Sequence, residues 1–187
     1  MDNKNENVSI LGFAGSLRKD SYNKMLLTAA QELSPENVKI EIFDLEGIPL
    51  FNQDLESKPN DKIKIFKEKI KAADGLLIVT PEYNYSVPGV LKNAIDAASR
   101  PKSANPFEEK PTGIMGASIG MIGTARAQYH LRQTMVFLNS YIMNRPEIMV
   151  TFAEGKFDQA GRLTDEVTRQ KVKEFIVALL QWIIKFK

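Results

Sequence analysis

Two kinds of hydrophobic pattern alternate along the chain. Short runs that are apolar throughout, or at every second position, predict strands. Longer segments with apolar residues three and four apart predict helices. Val8 to Ala14 (VSILGFA) is a strand that ends at Gly15. Tyr22 to Leu33 puts Met25, Leu26, Ala29, Ala30 and Leu33 on one helical face, and Ser34-Pro35 stops it. Val38 to Phe43 (VKIEIF) alternates and reads as a strand near a sheet edge. Asp61 to Ala73 carries Ile63, Phe66, Ile70 and Ala73 at helical spacing. Gly75 to Thr80 (GLLIVT) has the character of a central strand buried on both faces. Val87 to Ala98 is a helix with Pro88 in its first turn. Thr112 to Ser118 is a glycine-diluted strand, Ala125 to Leu138 a helix and Ile148 to Phe152 the last strand. Asp165 to Lys185 is the closing helix, with Thr164 expected as its N-cap.

The order βαβαβαβαβα predicts a parallel sheet covered on both faces. Five strands and five helices fit an α/β doubly wound five-stranded sheet of order 2-1-3-4-5. Residues 1–187 read as one domain, with 1–7 a polar tail. In such sheets ligands sit beyond the carboxyl ends of the strands where the order reverses, here between the loops after strands 1 and 3.

Composition narrows the chemistry. The chain has 187 residues, 43% hydrophobic and 26% charged, which excludes a disordered or fibrous chain. A formal net charge of +2 makes no electrostatic case for nucleic acid or an anionic membrane as partner. With no cysteine, disulfides, thiol nucleophiles and Cys-ligated metals are excluded. His130 is the single histidine, so no mechanism with two imidazoles is open, and its place inside a helix reads as surface or interface. The polar start carries no apolar signal stretch, and Phe175 to Ile184 is too short to span a bilayer. The expected location is the cytoplasm.

Three loops carry candidate chemistry. After strand 1, Gly15 to Asn23 (GSLRKDSYN) brings two hydroxyls, an amide and a guanidinium to a helix N-terminus. These are donors for an anion such as a terminal phosphate. The plainer alternative is a solvated loop with Ser21 or Asp20 capping the helix. After strand 3, Thr80 to Gly89 (TPEYNYSVPG) sets two tyrosines on a proline-stiffened path, suited to a flat heteroaromatic ring or to simple core packing. After strand 4, Gly116 to Thr124 (GASIGMIGT) has three further glycines that let backbone approach a ligand.

Rivals fail on the same residues. There is no G-x-x-x-x-G-K-[ST] and no G-x-G-x-x-G after strand 1. Gly116 to Gly120 matches G-x-S-x-G, but no acid lies between Ser118 and His130 to complete a triad in that order. Asp74 and Glu82 are separated by strand 3, so they are no acid pair. The lysines from Lys62 to Lys71 cover more than one helix face and read as solvated.

In GSLRKDSYN, TPEYNYSVPGVLKNAIDAASR and GASIGMIGTARAQ the chain resembles the NADPH-dependent FMN reductase family, and within it the bacterial NAD(P)H-dependent quinone, chromate and azo-dye reductases. The resemblance runs from about Val8 to the last helix. It implies a flavodoxin-like fold and non-covalently bound FMN. By motif, it implies that Ser16, Arg18, Ser21 and Asn23 hold the FMN phosphate. Pro81, Glu82, Tyr83 and Asn84 line the isoalloxazine with Ser86 close by, and Ser118 faces the flavin. Thr124 stands where the family often has a second glycine, and Asp20 where a small residue is common.

The implied activity passes hydride from NAD(P)H through FMN to a quinone or similar small-molecule acceptor, such as an azo dye, chromate or free flavin. No side chain need be a nucleophile, because the cofactor carries the chemistry. The alternative is a flavodoxin-like electron carrier or flavin-sensing module without its own turnover. Family members are dimers or tetramers, so a homodimer or homotetramer is expected. The long connection Asp44 to Asn60, with Leu50 and Phe51, reads as a wall of the acceptor site or as a plain surface loop.

Overall fold

A computed structural model describes residues 6–187. The elements are β1 (Val8–Ala14), α1 (Tyr22–Glu32), β2 (Val38–Phe43), α2 (Asp61–Ala72), β3 (Gly75–Val79) and α3 (Gly89–Ala98). They continue with β4 (Pro111–Ala117), α4 (Ala125–Phe137), β5 (Tyr141–Ile142), β6 (Ile148–Val150) and α5 (Glu166–Lys185). All strand pairs are parallel, and the sheet order is β2-β1-β3-β4-β5, with β6 also on β4. This is the doubly wound order expected from the sequence.

The fifth position of the sheet is shared. Tyr141 and Ile142 pair with Pro111 and Thr112, whereas Ile148 to Val150 pair with Met115 to Ala117. The sequence predicted only the second of these and ran it on to Phe152. Phe152 instead turns into the left-handed region at φ 50°, which ends the strand. Pro146 has no N–H to give a ladder, consistent with the break between the two pieces.

Strand alternation sorts the core into two layers. From β3, Leu77 and Val79 enter the cluster under α1 and α5, and Leu76 and Ile78 the cluster under α2, α3 and α4. β1 does the same with Val8 and Ile10 on one side and Leu11 and Phe13 on the other. Phe13 meets Phe66 edge-on at 5.1 Å, and Phe66 stacks on Phe43 at 4.8 Å. Because both faces are covered, ligand chemistry is left to the strand ends.

Helix boundaries follow their caps. Pro88 does not open α3: its backbone is extended (ψ 144°), and it stands one residue ahead, its carbonyl accepting from Lys92 N–H. The N-cap of α5 is Asp165, not Thr164. Asp165 Oδ2 accepts from the Thr168 N–H at 2.8 Å and hydroxyl at 2.5 Å, with Lys156 Nζ at 3.1 Å. The Thr168 hydroxyl, its N–H and then Lys156 pull this carboxyl down to about 2 from the ordinary 3.8. A depressed carboxyl stabilises the fold fully above pH 3.8 and loses that contribution as pH falls through about 2. Asp165→Ala is therefore expected to cost about 1 kcal/mol at pH 7. The gap to wild type in urea unfolding should narrow below pH 4; a gap that is constant down to pH 2 would show that the carboxylate charge contributes nothing.

Of the stretch read as a polar tail, residues 1–5 lie outside the described residues. Glu6 and Asn7 are engaged: Asn37 Nδ2 donates to the Glu6 carbonyl, and Lys187 reaches Glu6, Asn7 and Asp74. Asp74 also accepts from Ser9, at the opposite end of β3 from Glu82. No helix among the described residues is long and apolar enough to cross a membrane.

Candidate functional site

The loop after β1 leads straight into α1. Ser16 is buried, and its Oγ accepts from the Arg18 N–H at 3.3 Å. Ser21 is the N-cap, its Oγ taking the N–H groups of Asn23 and Lys24 at 3.3 and 3.4 Å. Asp20 is exposed and does not cap. With those two N–H groups capped, this end offers an anion the positive helix dipole and the Ser21 hydroxyl proton. The Arg18 guanidinium lies 5.9 Å over Tyr22, which in turn packs on Phe157.

Asn23 is tied elsewhere. Its Nδ2 donates to the Ala117 carbonyl and its Oδ1 accepts the Ala117 N–H, both at 2.9 Å and buried. The amide pins α1 to the end of β4, which leaves Ser16, Ser21 and Arg18 as the side chains open to an anion. Asn23 lines the same cleft, but its side chain works as a brace between two of its walls.

The loop after β3 forms a tight turn. Tyr83 N–H donates to Ser86 O at 3.2 Å and Ser86 N–H to Tyr83 O at 3.0 Å, and both central residues are left-handed (Asn84 φ 51°, Tyr85 φ 64°). Neither tyrosine enters the core: Tyr83 is 53% and Tyr85 65% exposed. Glu82 is half-buried and paired. Its Oε2 accepts the Ala127 N–H at 3.1 Å at the start of α4, and its Oε1 faces Arg126 at 3.6 Å. Arg126 then stacks 3.9 Å over Tyr85. Ser86 Oγ is 3.0 Å from His130 Nδ1.

The loop after β4 closes the third side. Ser118 N–H donates to Val150 O, Ala153 N–H to Ser118 O, and the Ser118 hydroxyl oxygen accepts from Gly120 N–H. Thr124 has φ 75° and is buried, so the chain follows a glycine-like path with a β-branched residue. Its hydroxyl oxygen accepts from Gln128 Nε2 at 3.1 Å.

These loops enclose a cleft of about 290 Å³. Eight of the ten residues proposed from sequence line it: Ser16, Arg18, Ser21, Asn23, Pro81, Glu82, Tyr83 and Ser118. Asn84 and Ser86 do not; they belong to the turn behind Tyr83. The sequence reading missed Tyr22 at the start of α1, Ala117 at the end of β4 and Ile119 in the loop that follows it, all of which face the cleft. Two larger cavities lie elsewhere: about 420 Å³ between β2 and α2, and about 330 Å³ under residues 49–60. They share no residue with the cleft, and neither gathers a helix N-terminus with hydroxyls. Residues 49–51 are held on α3 by Asn93, whose Oδ1 accepts from Phe51 N–H and whose Nδ2 donates to Pro49 O.

The family model described as NADPH-dependent FMN reductase matches residues 8–155, which hold all three loops. The chain belongs to that family. It is 48% identical over 183 residues to the NAD(P)H-dependent FMN reductase PA1204 of Pseudomonas aeruginosa, covering 97% of this chain and 98% of that one. It is 44% identical to a 2-hydroxy-1,4-benzoquinone reductase of a Burkholderia species, over 90% of this chain and 92% of the relative. Among solved structures, the FerB flavoenzyme NAD(P)H:(acceptor) oxidoreductase of Paracoccus denitrificans superposes with a TM-score of 0.88. That pair is 34% identical, over 95% of this chain and 98% of FerB. As in this family, the fold is flavodoxin-like.

Proposed function

We propose that the protein is an FMN-dependent oxidoreductase that takes hydride from NAD(P)H and delivers it to quinones or similar small acceptors. The observation that carries this is one cleft with two unlike ends. One end has a helix N-terminus, the Ser16 and Ser21 hydroxyls and Arg18; the other has Pro81, Tyr83 and Ile119 as apolar and aromatic walls. That donor set fits a phosphate-tailed flat ring. Glu82, the one acid lining the cleft among the described residues, is engaged by Arg126 and the Ala127 N–H, so it does not stand unpaired against such a ligand.

Bound FMN supplies the hydride-transfer chemistry. The chain supplies the rest. Ser16, Ser21 and Arg18 hold the phosphate, and Asn23 fixes the distance between that end and the β4 loop. Pro81, Glu82 and Tyr83 line the ring with Asn84 and Ser86 in the turn behind them, and Ser118 faces it from the third loop. NAD(P)H and acceptor use the open side of the same cleft in turn. The relatives named as FMN and quinone reductases support this substrate class.

Arg18→Ala is expected to weaken FMN binding about tenfold, the loss of one charge-assisted contact at an exposed site. Titration of apo-protein by flavin fluorescence measures it; unchanged affinity would move the phosphate elsewhere. The function itself is tested by NADPH oxidation with a simple benzoquinone: a reductase turns over alone, whereas an electron carrier shows none without a partner enzyme.

The active assembly in this reading is a homodimer or homotetramer of one-domain chains in the cytoplasm. Tyr129, Val136 and Phe137 form an exposed apolar strip on α4, suited to a second copy. Residues 44–60 flank α3, and in the assembly they help wall the acceptor site.

A further inference from the structure

His130 is the sole imidazole of the chain, and the reaction as derived gives it no task. Its position does. The turn from Glu82 to Ser86 adopts a shape that costs free energy, with two adjacent non-glycine residues at positive φ, one of them a tyrosine. Two backbone hydrogen bonds close the turn, and both tyrosines are exposed, so its apolar anchors lie only at its ends, buried Pro81 and half-buried Val87. Further support comes from α4, at three points along its first two turns. The Ala127 N–H takes Glu82 at the near end, Arg126 covers Tyr85 at the tip, and His130 Nδ1 meets Ser86 Oγ at the far end.

We propose that His130 is a positioning residue for the flavin-ring wall. Acting through Ser86, it holds the Tyr83–Ser86 turn in the shape that presents Pro81 to Tyr83 to the ring. The bond is available in either charge state of the imidazole. Neutral His130 protonated on Nε2 accepts the Ser86 O–H at Nδ1, and the imidazolium donates Nδ1–H to Ser86 Oγ. The brace is therefore mechanical. It rests on the reading that this turn lines the isoalloxazine.

Riboflavin, which has the ring without the phosphate, isolates that end of the ligand. Apo-protein is titrated with FMN and with riboflavin by flavin fluorescence, alongside urea unfolding of each variant. His130→Phe keeps the ring volume without the bond. It is expected to weaken both ligands by the same three- to tenfold factor, the scale of one lost hydrogen bond, with an unchanged unfolding midpoint. Arg18→Ala should weaken FMN alone. His130→Asn, with an amide group near the place of Nδ1, should bind as wild type. Ser86→Ala combined with His130→Phe should be no weaker than either alone. Riboflavin affinity unchanged in His130→Phe, losses that multiply in the double variant, or equal loss in His130→Asn and His130→Phe would each overturn the proposal. A wild-type protein that binds neither flavin would overturn the underlying FMN reading as well.

Discussion

Gly116→Ala is expected to cost about 3 kcal/mol of stability or more, at the upper end for overpacking a core. A Cβ added at Gly116 falls inside contact distance of both Thr124 Oγ1 and the Thr80 carbonyl. Neither can step aside. Thr124 is buried, with its hydroxyl on Gln128, and Thr80 is in the ladder through its N–H to Met115 O. The ends of β3 and β4 must part, and the ring wall and the Ser118 loop grow from those ends. Urea unfolding should show the loss, together with weak FMN retention in whatever folds. Gly89→Ala is the control: an added Cβ there meets nothing within 4 Å, and alanine favours the start of α3. Equal midpoints for Gly116→Ala and wild type would mean that the two strand ends are not held together as described.

Asn23→Ala is expected to cost about 2–3 kcal/mol, because it leaves the buried N–H and carbonyl of Ala117 unsatisfied at once. Asn23→Asp separates the two bonds. A carboxylate still accepts the Ala117 N–H, but it sets a second oxygen against the Ala117 carbonyl. At neutral pH it should be no more stable than the alanine variant, and it should recover on acidification as the carboxyl gains a proton to donate. Had Asn23 served only as a phosphate ligand, both variants would unfold like wild type in the absence of flavin, and that result would restore the simpler role.

These residues also show where sequence reasoning stops. The β3 run GLLIV was legible because burial on both faces leaves no room for polar residues, and its neighbours alternate at periods that only strands or helices produce. Tyr141–Ile142 was not, since two residues carry no period. Thr164 and Asp165 are both good caps, so composition does not choose between them; the Thr168 contact does. The cleft was legible in outline because its three loops follow β1, β3 and β4 directly, and topology brings them together. The hidden part is long-range. Asn23 sits beside a helix start and looks like an anion ligand, but its partner is 94 residues away. Glu82 meets Ala127 across 45 residues and Ser86 meets His130 across 44, contacts that only the folded chain makes.

The most direct test is the visible spectrum of the purified protein after incubation with excess FMN and removal of unbound flavin. The account predicts a yellow protein with one oxidised flavin per chain, bleached when NADPH is added under anaerobic conditions. A protein that stays colourless and carries no FMN through the separation would contradict it.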